Sequence, residues 1–202
     1  IINVESKIES KILQEINNPY FLTDSNIENL SFIIKISKKL KLNQNKLIKT
    51  LKKFKGLDYR QQIIYKSKFL TIINDSKATS YSSSVSLLKS LTNVYWIVGG
   101  IPKLGDRFLL PKKLCNKTRA YIFGKNKKEF IKQLKNKMFF KTFSNLNIAI
   151  KKIFDDIKST KMKKHNVILF SPSSASFDKF KNFEERGRYF NNQIKKQINA
   201  KY

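Results

Sequence analysis

One cysteine, Cys115, and one histidine, His165, are all that 202 residues contain of either type. A lone thiol cannot staple the chain to itself, and one imidazole leaves no His/Cys cluster to hold zinc. A disulfide scaffold and a structural zinc fold are therefore excluded. Cys115 sits in a Lys-rich loop with no base beside it, which argues against a nucleophile, and His165 reads as a surface residue ahead of a strand. No apolar run approaches the roughly 18–20 residues of a membrane span, and no signal-peptide pattern opens the chain, so a soluble, cytosolic protein is expected. There is no internal repeat and no low-complexity linker. Carboxylates are scarce as well: 14 Asp and Glu stand against 42 Lys and Arg, a net charge of +28.

Such an excess ordinarily points to nucleic acid, because Lys and Arg neutralise phosphates. Here lysine greatly outnumbers arginine, is spread through every segment, and accompanies heavy use of Asn, Ile, Phe and Tyr, the residues favoured by A/T-rich codons. Compositional drift explains this pattern without any specific nucleic acid, although charge patterning keeps a polyanion-binding module open as the alternative. The cluster Lys161, Lys163 and Lys164 reads as solvated surface. A hydrophobic content of 41% suffices for a core, and the length suits one full domain plus part of another.

Residue 1 is Ile rather than Met, and the first fifty-odd residues look like the end of something. Leu30, Ile33, Ile34 and Leu40 share one helical face, and Leu47, Ile48, Leu51 and Phe54 share another after Asn43, with Gly56 closing the second helix. A short linker, Leu57 to Arg60, leads into a different rhythm. Strands are expected at Ile63–Tyr65, Phe69–Ile73, Val94–Val98, Ala120–Phe123, Phe139–Phe143 and Val167–Phe170. Helices are expected at Ser83–Ser90, Lys127–Asn136, Leu146–Lys158 and from about Glu184 to Asn199. Trp96 reads as core. Alternation of this kind implies an α/β fold with a mostly parallel sheet flanked by helices, and ligands in such sheets bind in the loops at the carboxyl ends of the strands.

Three of those loops are rich in groups capable of chemistry: NDSKATS after Ile73, GGIPKLGD after Val98, and SPSSASFDKFKNF after Phe170. If all three open on one edge, Asp75, Lys77, Thr79, Lys103, Ser176 and the Phe183 backbone converge as a cationic, hydroxyl-lined pocket for a small anion, beside a helix start that favours negative charge. Each loop also has a plainer reading. Asp75 or Ser76 would serve as a helix cap, Gly99–Gly100 as a turn, and the serines before the last helix as its cap.

The passages F-K-G-L-x-x-R (Phe54 to Arg60), I-N-D-S-K-A-T (Ile73 to Thr79), G-G-x-x-K (Gly99 to Lys103) and S-P-x-x-A-S-F-D-x-F-K-N-F-E-E-R-G (Ser171 to Gly187) resemble, in order and separation, the C-terminal part of the Mur ligases over about residues 22 to 195. The last passage is specific to the D-glutamate-adding branch, which argues against a folylpolyglutamate synthase or another Mur ligase. The resemblance implies a Rossmann-like C-terminal domain over 57–202, preceded over 1–56 by a helical remnant of the central ATP-binding domain. It implies an ATP- and Mg2+-dependent amide ligase of peptidoglycan synthesis in the bacterial cytoplasm, acting as a monomer. In that reaction the carboxylate of UDP-MurNAc-L-alanine is phosphorylated and then attacked by the amine of D-glutamate.

By the same resemblance Thr79 and Lys103 hold one carboxylate of D-glutamate, and Ser176, Phe177 and the Phe183 backbone hold the other. Asp75 binds ribose, Arg60 lies near the ATP phosphates, Lys77 lines the catalytic cleft, and Asn26 contacts adenine. Two departures matter. Tyr59 stands where the family usually has His, and a phenol is no base near neutral pH. Ser25 stands where His usually precedes Asn26. No G-x-x-x-x-G-K-[ST] loop occurs in the chain. The expectation is one jaw of a ligase, lacking the UDP-binding and central domains and their magnesium ligands, and unable to turn over alone.

Overall fold

Runs such as Val94–Gly99 (VYWIVG) and Asn166–Phe170 (NVILF) are continuous in β-branched and aromatic side chains, the composition of strands covered on both faces. The computed structural model describes residues 6–22, 24–159, 164–177 and 179–200. Of the expected surface cluster, Lys164 is exposed and Lys161 and Lys163 lie outside the described residues, as does Asp178. The chain divides into two compact units, Ile1–Gly56 and Leu57–Tyr202.

The first unit carries α1 (Ser6–Ile16), a 3-10 turn (Pro19–Leu22), α2 (Asp24–Lys39) and α3 (Gln44–Lys53) around Ile16, Phe21, Leu30, Ile34 and Leu51. The periodicity of residues 30–54 shows only the last two helices. The expected stripe on α2 also divides. Leu30 and Ile34 are buried, whereas Ile33 and Leu40 are exposed beside Phe32 and Ile36 on a second apolar stripe. The inward face is completed by Ser31 and Ser37, whose hydroxyls bond back to Ile27 O and Ile34 O and so tolerate burial. On α3, Asn43 caps the start by accepting from Lys46 N, Leu51 is buried, and Phe54 is an exposed C-cap. Gly56 therefore lies two residues beyond the cap instead of closing the helix.

The second unit is a six-stranded sheet in the order β1-β2-β6-β3-β4-β5: β1 (Gln62–Lys66), β2 (Leu70–Asn74), β3 (Val94–Gly99), β4 (Thr118–Phe123), β5 (Phe139–Phe143) and β6 (Asn166–Phe170). Among these six strands, β1 and β2 pair antiparallel and the other pairs are parallel. This is the expected mostly parallel α/β sheet. Alternate strand residues point to opposite faces. Val94, Trp96, Val98, Ala120, Ile122, Val167 and Leu169 pack under α4 (Tyr81–Ser90), the single-turn α5 (Lys112–Cys115) and α6 (Lys127–Leu134). Tyr95, Ile97, Tyr121, Phe123, Ile168 and Phe170 pack under α7 (Leu146–Ser159) and α8 (Phe183–Asn199).

The α7 stripe of Leu146, Ala149, Ile150, Ile153, Phe154 and Ile157 is buried throughout, as its 3.6-residue period predicts. Beside it, burial alone would raise the Asp156 carboxyl, but hydrogen bonds from Lys141 (2.6 Å), Tyr121 (2.5 Å) and Lys152 (2.9 Å) outweigh burial and hold it at about 2. Cys115 is not in a loop but ends α5 inside the core, and burial pushes its thiol up, which fits the expectation of an inert group. Trp96 is fully buried. His165 is exposed and hydrogen-bonded to Thr71 and to the Lys68 carbonyl.

Because Ile153 is fully buried against the sheet, Ile153→Ala is expected to lower unfolding free energy by about 2–5 kcal/mol through lost transfer and a residual cavity. Urea denaturation measures it; a change below about 1 kcal/mol would mean that α7 does not seal this face.

Candidate functional site

Strands β2, β6 and β3 are adjacent and parallel, so the three loops that follow them open on one edge of the sheet. Backbone hydrogen bonds join them at once. Asp75 N donates to Phe170 O (2.7 Å), Gly99 N to Pro172 O (3.1 Å) and Ser174 N to Ala78 O (3.4 Å), and Ile101 and Ala175 form an antiparallel bridge. Gly100 must be glycine here: its φ is +128°, and a Cβ would run into Ser174 Oγ.

Beneath the loops lies a buried polar network. Ser84 Oγ meets Ser171 Oγ (2.7 Å) and Ser173 Oγ (2.6 Å), Ser171 Oγ donates to Asp75 Oδ2 (2.9 Å), and Trp96 Nε1 donates to Ser171 O (2.7 Å). Asp75 Oδ1 accepts from Gln61 N (3.1 Å). The plainer reading of Asp75 and Ser76 as caps fails, because the cap of α4 is Ser80. Residues 75–79 are instead held as a connection, with Lys77 N donating to Tyr59 O (3.0 Å) and Ser76 N to Asn74 Oδ1 (3.0 Å). The serines after β6 do not cap α8 either. Asn182 does, accepting from Glu185 N (2.8 Å), while Glu184 and Glu185 place negative charge in the first turn. That helix start is thus partly satisfied from within the chain.

The expected site residues take three kinds of position. Thr79 and Lys103 are exposed, and Ser176 is buried to 4% exposure; none of their side-chain donors has a hydrogen-bond partner among the described residues. Lys103 also lines an open cavity of about 270 Å³ with Tyr81, Asp106 and Glu129. Lys77 Nζ lies 3.9 Å from the centre of the Phe183 ring, a cation–π contact joining the β2 loop to α8. Phe177, next to Ser176, is 73% exposed. Arg60 is exposed near Asp75, between Tyr59 (φ 60°) and Gln61 (φ 50°), both in the left-handed region that side chains rarely adopt. Asn26 belongs to the first unit, where it is buried and its amide donates to Tyr20 O (2.6 Å).

Tyr59 lays its ring on Gly187, and any Cβ at 187 would overlap that ring. The Tyr59 ring is therefore a packing element against α8. Asn74 adds a second tie to α8, donating to Gly187 O (3.0 Å) and Asn191 Oδ1 (2.7 Å). Arg186, within the quoted motif, received no role from the sequence. It shares the inward stripe of α8 with Phe190 and Ile194, at i, i+4 and i+8. A charge on an apolar stripe was the available signal.

No protein-family model matches the chain. A solved structure of UDP-N-acetylmuramate-alanine ligase from Thermotoga maritima superposes with a TM-score of 0.55 at 16% identity, covering 87% of this chain and 39% of that one, and so shares the fold. The chain belongs to the Mur ligase family. The relatives that show this are named UDP-N-acetylmuramoylalanine–D-glutamate ligase. That of Wolbachia sp. subsp. Brugia malayi is 35% identical over 190 residues, or 94% of this chain, and that of Rickettsia felis is 34% identical over 165 residues, or 82%. That of Francisella tularensis subsp. tularensis is 32% identical over 189 residues, or 92%. The chain spans 38%, 36% and 44% of the lengths of these three relatives.

Burial lifts the Asp75 carboxyl from its ordinary 3.8 to about 7, against the opposing pulls of the Ser171 hydroxyl, the Gln61 N–H and the Arg60 charge. The folded chain therefore holds this proton more tightly than the unfolded chain. The associated stability is fully present below about pH 4 and is lost as pH rises through about 7. Asp75→Asn, which cannot titrate, is expected to flatten this window, by up to about 4 kcal/mol. Urea titrations from about pH 4 to pH 8 compare the two proteins, and parallel curves would contradict it. Gly187→Ala, normally a gain of about 1 kcal/mol inside a helix, is expected to cost about 1–3 kcal/mol here through overlap with Tyr59. A double-mutant cycle with Tyr59→Ala checks that origin; additive effects would refute it.

Proposed function

We propose that this chain is the D-glutamate-binding, C-terminal portion of an ATP-dependent ligase that joins D-glutamate to UDP-MurNAc-L-alanine in the bacterial cytoplasm. The observation that carries the reading is a division of labour at one sheet edge. The hydroxyls of Ser76, Ser84, Ser171, Ser173 and Ser174 are engaged inside the protein. Those of Thr79 and Ser176, with the Lys103 ammonium, have no partner among the described residues. Two hydroxyl donors and a cation on three adjacent loops suit a small dicarboxylate, since charge-assisted hydrogen bonds are the strong kind.

In this reading Thr79 and Lys103 take one carboxylate of D-glutamate, and Ser176, Phe177 and the first-turn N–H of Phe183 take the other. Lys77, held over the Phe183 ring, keeps a positive charge at the edge of the same pocket. When bound, ATP supplies the phosphoryl group that activates the acceptor carboxylate. Arg60, an exposed cation, is assigned to its phosphates by the family resemblance. Asp75 is buried, with acceptor positions already used by Gln61 and Ser171, so its assignment to the ribose rests on the family resemblance. A role for Asn26 toward adenine rests on the family resemblance alone. Among the described residues no group of three or more His, Cys, Asp or Glu is placed to hold a metal ion, and we assign the magnesium ligands to the remaining ligase domains.

We assign residues 1–56 to the end of the ATP-binding domain and 57–202 to the amino-acid-binding domain, with the remaining ligase domains as required partners. Two measurements test the reading. The 202-residue chain alone, given ATP, magnesium, UDP-MurNAc-L-alanine and D-glutamate, is expected to release no inorganic phosphate above background; sustained release would refute its role as a partial ligase. In a ligase containing this chain, Lys103→Ala and Ser176→Ala are each expected to raise the KM for D-glutamate at least about tenfold, the loss of one charge-assisted contact. An unchanged KM in both would remove the assignment.

A further inference from the structure

We propose that Arg186 is the positioning residue that sets the spacing of the two carboxylate sites; this rests on the reading of the pocket given above. Arg186 is 1% exposed. Its Nη2 donates to Ser76 O (2.7 Å) and Ser174 O (3.0 Å), its Nε to Ser76 Oγ (3.1 Å), and its Nη1 reaches Ser174 Oγ (3.5 Å). One planar guanidinium therefore bridges the loop after β2 and the loop after β6 from beneath. Thr79 lies three residues past Ser76, and Ser176 two past Ser174. Ser76 Oγ donates onward to Phe183 O (2.8 Å), which brings the start of α8 into the same clamp.

A buried guanidinium is costly unless its donors are satisfied in good geometry. The fork of Arg can span two carbonyls at fixed angles, whereas the point charge of Lys cannot. The clamp is also selective. Asp75, one residue before Ser76, is held by other partners: Gln61 N, Ser171 Oγ and, through its own N–H, Phe170 O. Loosening Arg186 should thus disturb the amino-acid side of the site and leave the proposed nucleotide side in place.

The test is steady-state kinetics of a ligase containing this chain, comparing wild type, Arg186→Lys and Ser76→Ala, with a melting curve for each. Arg186→Lys is expected to raise the KM for D-glutamate at least about tenfold while the KM for ATP stays within about twofold. Ser76→Ala, which removes the Nε acceptor and the Phe183 tie but keeps the buried cation, is expected to raise the D-glutamate KM about threefold or more by the same logic. A folded Arg186→Lys with an unchanged D-glutamate KM overturns the proposal. So does a parallel rise in both KM values, which is the mark of a merely structural residue. If Arg186→Lys fails to fold, Ser76→Ala decides alone, and an unchanged D-glutamate KM there overturns it. A wild-type enzyme that does not saturate with D-glutamate overturns the reading of the pocket itself, and this proposal with it.

Discussion

Everything at the candidate site depends on where the last strand goes. β6 is inserted between β2 and β3, paired in parallel with both, after the chain has already laid down β4 and β5. That placement brings Asp75–Thr79, Gly99–Lys103 and Ser171–Phe177 onto one edge, although they are far apart in sequence. The insertion is enforced by side chains on both faces. Val167 and Leu169 enter one core, and Ile168 and Phe170 the other, so a shift by one residue would reverse every one of them.

The edge is built in two layers with opposite hydrogen-bonding character. Below, Asp75, Ser84, Ser171, Ser173, Trp96 and Arg186 satisfy one another and the loop backbone, away from water. Such a network rigidifies a site only when its members are paired, because an unmatched buried polar group costs about 1–3 kcal/mol. Above, Thr79, Lys103 and Ser176 keep their donors uncommitted among the described residues. A rigid lower layer presenting unsatisfied donors is the arrangement that binds a small anion without first rearranging.

Much of this was legible in the sequence, and the exceptions have physical causes. The six strands and the α7 stripe follow from β-branched runs and a 3.6-residue period, because burial on both faces leaves little ambiguity. On α2, both stripes are apolar, and tertiary packing rather than pattern selected Leu30 and Ile34 over Ile33 and Leu40. A glycine after a helix is the usual stop, yet Phe54 ends α3 in an extended conformation two residues before Gly56. Asp75 and Ser76 looked like caps because cap chemistry and loop chemistry use the same residues; only the position of Ser80 separates them. For Arg186 the local sequence shows only a charge on an apolar stripe; its partners lie 110 and 12 residues away.

The three strand-end loops are proposed to form one pocket for one dicarboxylate. The most direct test is a backbone amide NMR titration of this 202-residue chain with D-glutamate, and with L-glutamate as control. The amides of Thr79, Lys103, Ser176 and Phe183 are expected to shift together, along a single binding curve, with D-glutamate and more weakly or not at all with L-glutamate. Saturable shifts confined to one loop, or equal responses to both enantiomers, would contradict it.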